Sequence, residues 1–152
     1  MTKLTLAEIR EKMRDIDFSV LTTRSDGGSL AGRPMSNNRD VDFDADSFFF
    51  TSADTRTVAD IEQDPRVGLA YQGKSGMLGM KPFFLTVEGR AELIRDKSRF
   101  AEHWTKDLDA WFKEGINTPG LTLIKVNAKR LHYWDGYEEG ELDLAKEALA
   151  QA

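Results

Sequence analysis

The chain has 152 residues, of which 40% are apolar and 31% charged, a formal net charge of −5 and no cysteine. That length suits one domain, and a domain of this size buries roughly 70% of its unfolded surface, enough for a real core. Disulfide and thiol chemistry are excluded, no apolar run approaches the ~20 residues of a membrane span, no basic cluster offers a nucleic-acid surface, and the first residues lack a signal-peptide pattern, so the expectation is a cytoplasmic protein with neither nucleic-acid nor membrane partners.

The N-terminal segment 5–16 reads as a helix. Thr5 and Glu8 have capping-box spacing and Leu4 with Ile9 staple spacing. Leu6, Ile9, Met13 and Ile16 form one apolar stripe. The β-branched and aromatic run Asp17–Arg24 reads as a strand, and Ser25-Asp26-Gly27-Gly28 as a hairpin turn. The return strand is SLAGRPMSNN, 29–38. Pro34 cannot donate to a ladder, so this strand is an edge, is bulged, or faces a ligand.

Asp40, Asp42, Asp44 and Asp46 resemble the opening of a calcium loop. Ala45 stands where the turn glycine belongs and Thr51 where the bidentate glutamate belongs, so no metal is expected. His103 and His132 have no zinc spacing and no nearby nucleophile, and receive no catalytic role.

Ser47–Ser52 reads as the third strand, 54–64 as a short helix ended by Pro65, and 66–72 as the fourth strand. A glycine-rich loop, 73–82, leads to a long strand, Phe83–Ile94, with a bulge at Gly89. The aromatics of 96–112 suggest a helix carrying Phe100, Trp104, Leu108, Trp111 and Phe112. Residues 121–134 read as the last strand or a bent pair. A C-terminal helix is expected over 138–150, with Leu142, Ala145 and Leu149 on one side. The expectation is a mainly β fold: one domain over 1–152, a small antiparallel β-barrel with peripheral helices and a core at about 16–135.

Two places could carry chemistry. On the return strand, Arg33, Met35 and Asn37 share one side while Gly32, Pro34 and Ser36 take the other. A guanidinium can grip phosphate through paired hydrogen bonds, and Met35 offers soft apolar surface to a ring. At the junction from third strand to helix, Thr55, Arg56 and Thr57 stand at a helix N-terminus, which favours anions. The plain alternatives are a solvated arginine on an edge strand and an ordinary cap by Asp54 or Thr55. Taken together, the two cations suit a flat, anionic, phosphate-bearing cofactor, with flavin mononucleotide (FMN) the leading candidate. Trp104, Trp111 and Trp134 read first as core or interface, and one of them could wall a ring.

Several pieces, in order, resemble the pyridoxamine 5′-phosphate oxidase-like superfamily of FMN-binding split barrels, in its bacterial general stress protein branch. They are GRPM at Gly32–Met35, FFFTS at Phe48–Ser52, TRTVADIEQDPRVGLAY at Thr55–Tyr71, LTVEGRAELIRDK at Leu85–Lys97, the spaced HW…WF…G…PG of His103–Gly120 and HYWD at His132–Asp135. The resemblance implies a homodimer with FMN at the subunit interface. Arg33 would reach the phosphate, with Pro34, Met35 and Ser36 along the ring and ribityl chain. Phe49, Phe50 and Thr51 would flank the cofactor. Thr55, Arg56 and Thr57 would hold phosphate, and Trp134 would approach from near the interface.

There are departures. Thr57 replaces a lysine common in the family, with Arg56 the candidate to compensate. Asn38 stands where the oxidase carries a lysine for substrate phosphate, and the acidic tail lacks the oxidase's arginine-histidine motif. Vitamin B6 oxidation is therefore not expected. What remains is a flavin-dependent oxidoreductase on an unknown small molecule, with a nicotinamide as candidate donor. The rivals are a non-catalytic flavin-binding stress or storage protein and a structural barrel with an empty cleft. Haem or a deazaflavin ranks below FMN, and for haem no axial histidine can be placed. No side chain is singled out as catalytic. Backbone N–H groups of Met35–Asn38 are the candidate donors to the ring.

Overall fold

The computed structural model describes residues 4–38, 45–74 and 81–144. Its centre is a curled antiparallel sheet of seven strands. The strands are β1 (Phe18–Arg24), β2 (Leu30–Ser36), β3 (Asp46–Ser52), β4 (Arg66–Gln72), β5 (Phe83–Ile94), β6 (Leu121–Asp135) and β7 (Glu138–Asp143). Their order is β2-β1-β4-β5-β6-β3, with β7 also on β6. The sheet is a split barrel: β2 and β3 lie at its two ends, and the seam between them is open. Successive pairings are all antiparallel, so β2 and β3 run in opposite directions along that seam.

Alternation sets the two faces. Along β5 buried and exposed residues alternate almost without a break. Leu85, Val87 and Ala91 meet Leu21, Leu69, Ile124, Val126, Leu131 and Tyr133 in the main core. Pro34 sits on an edge strand, where its missing N–H costs no ladder bond. The hairpin at 25–28 turns with Gly27 (φ 72°) and Gly28 (φ 83°) in the left-handed region. The bulge falls at the expected place: the β5–β6 register shifts between Glu88 and Gly89. The extra residue is Lys129 on β6, opposite Gly89, since Glu88 pairs with Arg130 and Gly89 with Ala128.

Helix α1 (Leu6–Met13) is capped by Thr5, whose hydroxyl accepts from the Glu8 N–H at 3.2 Å. It is shorter than the expected 5–16. The chain leaves the helix after Met13, yet Ile16 still packs into the core. Helix α2 (Arg56–Gln63) buries Thr57, Val58, Asp60 and Ile61.

Two expected helices are corrected. Over 96–112 the chain makes short 3₁₀ turns (Lys97–Arg99, Ala101–His103, Lys106–Ala110). The aromatics there do not form a stripe along a rod. Phe100 and Trp104 close on Phe50, whose ring meets theirs edge-on at 5.6 and 4.9 Å, Phe112 packs on Trp104, and Trp111 stays exposed. Leu108 completes this second core with Ile94, Leu121 and Leu123. A straight helix could not curve around one ring.

The second correction is at the C-terminus, where 138–143 form β7 rather than the start of a helix. β3 occupies one edge of β6 only over 121–127, and Arg130–Asp135 leave an open edge that β7 fills. The helix-forming Glu and Leu residues yield to that pairing. Leu142 faces the core, and Gly140 lies against Tyr133. The rest of the expected helix, with Ala145 and Leu149, lies outside the described residues. So do Asp40, Asp42 and Asp44.

Candidate functional site

Arg33 and Arg56 meet around one buried carboxylate, Asp60. β2 turns Arg33 to the inner face, opposite Leu21 of β1. Its Nη1 donates to the Thr23 hydroxyl at 2.8 Å and to the Ala31 carbonyl at 2.9 Å. Thr23 in turn donates to Asp60 Oδ2 at 2.7 Å. From the other side, Arg56 donates to the Ser25 hydroxyl through Nε, at 2.7 Å, and through Nη2. Ser25 passes a hydrogen bond to Asp60 Oδ1 at 3.1 Å. Each hydroxyl thus accepts from one guanidinium and donates to one carboxylate oxygen.

Only 6% of the Asp60 side chain is exposed. Burial raises its pKa, but hydrogen bonds from Thr23 and Ser25, with the charges of Arg56 and Arg33, outweigh that and hold it below the usual 3.8. The cluster of two cations and one anion keeps a net positive charge. Arg33 Nη2 stands 3.6 Å from Asp60, beyond hydrogen-bond distance, and Arg56 is exposed. Both guanidiniums therefore keep N–H groups for an outside acceptor.

The start of α2 adds donors. Thr55 caps it, accepting from Val58 N–H at 3.4 Å and donating to the Ser52 carbonyl at 3.0 Å. The first-turn N–H groups of Arg56 and Thr57 have no intrahelical acceptor. The Thr57 side chain is buried on the core side of α2, away from the exposed Arg56. No charge takes the place of a lysine at that position.

On β2 the residues after Arg33 line a cleft of about 250 Å³, formed by Pro34, Met35 and Ser36 with Phe18, Phe50, Leu108, Trp111 and Phe112. Its walls are mostly apolar, as a planar ring requires. Met35, Ser36 and Phe50 also line a smaller hollow with Phe48 and Phe49, which joins β2 to β3 across the seam. Phe49 itself belongs to the main core, and Thr51 is half-buried, paired with Thr122 of β6. Asn37 N–H is taken by the Asp17 carbonyl at 2.8 Å. Alternation along the strand then leaves Ser36 N–H on the open edge, while Pro34 has none. Asn38 ties its amide to the His103 carbonyl at 2.7 Å, an anchoring role.

Trp134 lies elsewhere on the sheet. It stacks on His132 (3.9 Å between ring centres) and walls a groove of about 460 Å³ with Val20, Ala70, Phe84 and Thr86. Pro34 pairs with Val20, Val20 with Ala70 and Ala70 with Thr86, so this groove shares the outer face with Pro34. Phe18, Val20 and Phe84 on that face are 55%, 44% and 38% exposed.

The structure thus brings together Arg33, Thr55 and Arg56 at one end of the seam and Pro34, Met35, Ser36 and Phe50 in the adjoining cleft. Phe49 and Thr57 are packed inward, and Trp134 stands across the outer face. The donor set fits a phosphate-bearing ligand. Asp60, Thr23 and Ser25 escaped the reading of the sequence. The one signal was an aspartate between Val58 and Ile61, on the apolar side of a short helix.

Among the described residues no helix is long and apolar enough to cross a membrane, and no group of three or more His, Asp or Glu is placed to hold a metal ion. Comparison with solved structures finds a protein from Clostridium acetobutylicum related to general stress protein 26 of B. subtilis. It has a TM-score of 0.78 and 17% identity, over 93% of this chain and 95% of that one. A FAD-binding protein from Mesorhizobium loti matches with a TM-score of 0.68 and 16% identity, over 86% and 94%. At such identities the likeness carries the fold. Among curated proteins, bli-3 of Neurospora crassa is 24% identical over 125 residues, 76% of this chain. The match spans only 57% of that relative's length. The family model described as pyridoxamine 5′-phosphate oxidase like matches residues 5–151, and the chain belongs to that family.

Proposed function

We propose that this protein binds FMN, with the phosphate held by Arg33, Arg56 and the first turn of α2, and that it is a flavin-dependent oxidoreductase of the general stress protein type. The observation that carries the reading is the convergence of the two arginines on Asp60, with Arg33 next in chain to the Pro34–Ser36 stretch of β2 that lines an apolar cleft. Charge-assisted hydrogen bonds from guanidinium suit phosphate. Pro34, Met35 and Phe50 offer apolar contact to the ring, and the edge N–H of Ser36 a donor to its polar rim. When bound, the flavin supplies the redox chemistry, which the protein positions and tunes. A bound phosphate neutralises the net positive charge of the cluster, so binding weakens with salt.

The exposed Val20 and Phe84 at the Trp134 groove, with Phe18 exposed on the same face, support a homodimer through the outer face of the sheet. That arrangement would bring the partner's surface over the Pro34 cleft and exclude water from the ring. Asn38, together with the lack of an arginine-histidine motif in the acidic stretch after Trp134, argues against vitamin B6 oxidation.

The test is the visible spectrum of the purified, FMN-reconstituted protein, followed by anaerobic addition of reduced nicotinamide. Bleaching of the flavin bands is the expected result. A bound flavin that stays yellow favours a non-catalytic holder. A colourless protein that leaves added FMN fluorescence unchanged overturns the flavin reading and favours a structural barrel.

A further inference from the structure

We infer that Asp60 is the positioning residue of the phosphate site, aligning both guanidiniums through the Thr23 and Ser25 hydroxyls; this rests on the flavin reading above. The geometry is two-armed. One arm runs Arg33 Nη1 to Thr23 Oγ1 (2.8 Å) to Asp60 Oδ2 (2.7 Å). The other runs Arg56 Nε to Ser25 Oγ (2.7 Å) to Asp60 Oδ1 (3.1 Å).

A hydroxyl has one proton to give. Because the carboxylate takes that proton, each oxygen is left only with lone pairs, which the guanidinium must fill. The carboxylate thereby dictates the direction of both relays. It sits on α2 while Thr23 and Ser25 belong to β1 and its turn, so it also locks the helix start to the hairpin. Two flexible cationic side chains are held in one geometry before any ligand arrives, which removes an ordering cost from binding. Full ionisation of Asp60 also limits the cluster to a net positive charge of one, counting its two arginines, and so lets two guanidiniums lie close together without a ligand.

An asparagine at 60 keeps the shape but replaces one acceptor oxygen by an NH₂ donor. The hydroxyl facing that NH₂ must then accept from it and turn its own proton elsewhere, so that arm of the relay loses its fixed direction. Ser25→Ala cuts the Arg56 arm alone, and Thr23→Val the Arg33 arm alone.

The experiment is flavin fluorescence titration with FMN and with riboflavin, which lacks the phosphate, for the wild-type chain, Asp60→Asn and Ser25→Ala, with thermal midpoints alongside. The wild type should prefer FMN. Asp60→Asn should cut that preference about tenfold while leaving riboflavin affinity unchanged, as expected for losing charge-assisted bonds to phosphate. Ser25→Ala should cut it in the same sense and is the deciding variant if Asp60→Asn does not fold. A preference that survives in the folded variants overturns the role of Asp60 while leaving the flavin reading standing. Equal losses for FMN and riboflavin mean a purely structural aspartate and also overturn it. A wild-type chain that binds neither flavin overturns the flavin reading, and the positioning role with it.

Discussion

Arg33 and Asp60 stand 3.6 Å apart, Nη2 to Oδ2, with the Thr23 hydroxyl bridging them at closer range. Arg33 therefore has two duties, one to the fold and one to a ligand. Arg33→Ala should lower FMN affinity at least tenfold and cost the fold about 1–3 kcal/mol, since Thr23 and the Ala31 carbonyl lose a charged donor. Arg56 is exposed, and among the described residues its guanidinium donates to Ser25. Arg56→Ala should lower FMN affinity by a similar factor at a folding cost within about 0.5 kcal/mol. Titration with FMN beside urea unfolding checks both. A loss of stability as large as the loss of affinity at position 56 would show that arginine to be structural.

Gly89 faces the β6 bulge so closely that a side chain there has no room. A Cβ at this position would lie 2.7 Å from the Asn127 carbonyl oxygen and 3.0 Å from Val126 Cγ1. The carbonyl belongs to the β5–β6 pairing and cannot swing away without disturbing it. Gly89→Ala should destabilise the protein by about 1–3 kcal/mol, as overpacking does. Chemical denaturation gives the value, and an unchanged midpoint would mean the bulge yields freely.

Those two positions mark how far the sequence could be read. Gly89 was visible as a lone glycine in a strongly alternating strand, and the limits of β4 and β5 follow from the same alternation, which needs no third dimension. Pro34 likewise marked β2 as an edge, a bulge or a ligand-facing strand, and the edge is what the sheet order shows. The stretch 138–143 did not announce β7, because its Glu and Leu residues are helix formers and only the free edge of Arg130–Asp135 makes a strand of them. The aromatics of 96–112 have helical spacing, yet Phe100 and Trp104 close on one ring, Phe50, while Trp111 stays exposed. The two arginines could be named from their neighbours. Asp60 could not, since an aspartate in a short helix looks solvated until Thr23 of β1 and Ser25 of the following turn close over it.

His103 gives the stability a pH dependence. Its ring stacks on Phe48 at 3.7 Å, and its Nδ1 is buried without a hydrogen-bond partner among the described residues. Burial lowers its pKa below 6.5, partly opposed by Glu102 and helped by Arg99 and Lys125. Between the folded and unfolded values the unfolded chain binds more protons, so stability rises with pH. The contribution of His103 is complete above 6.5 and is lost as pH falls from there toward the folded value. Urea midpoints taken across that window should fall with acidification in the wild type and fall less in His103→Phe. Parallel curves would contradict the assignment.

The outer face offers a test of assembly. Val20 and Phe84 are exposed there and line the Trp134 groove. If two copies meet on this face, Val20→Glu or Phe84→Glu places a charge in an apolar contact and should convert dimer to monomer, as seen by light scattering. Flavin affinity should fall with it, because the partner's surface no longer covers the cleft. A wild-type chain already monomeric at micromolar concentration would rule the interface out.

The Arg33–Arg56 cluster should select a phosphate. The most direct measurement is a side-by-side titration of the wild-type protein with FMN and riboflavin at low and high salt. The predicted result is FMN binding at least tenfold tighter than riboflavin at low salt, about 1.4 kcal/mol or more, with the advantage shrinking as salt screens the guanidiniums. Equal affinity for the two flavins at every salt concentration would contradict it.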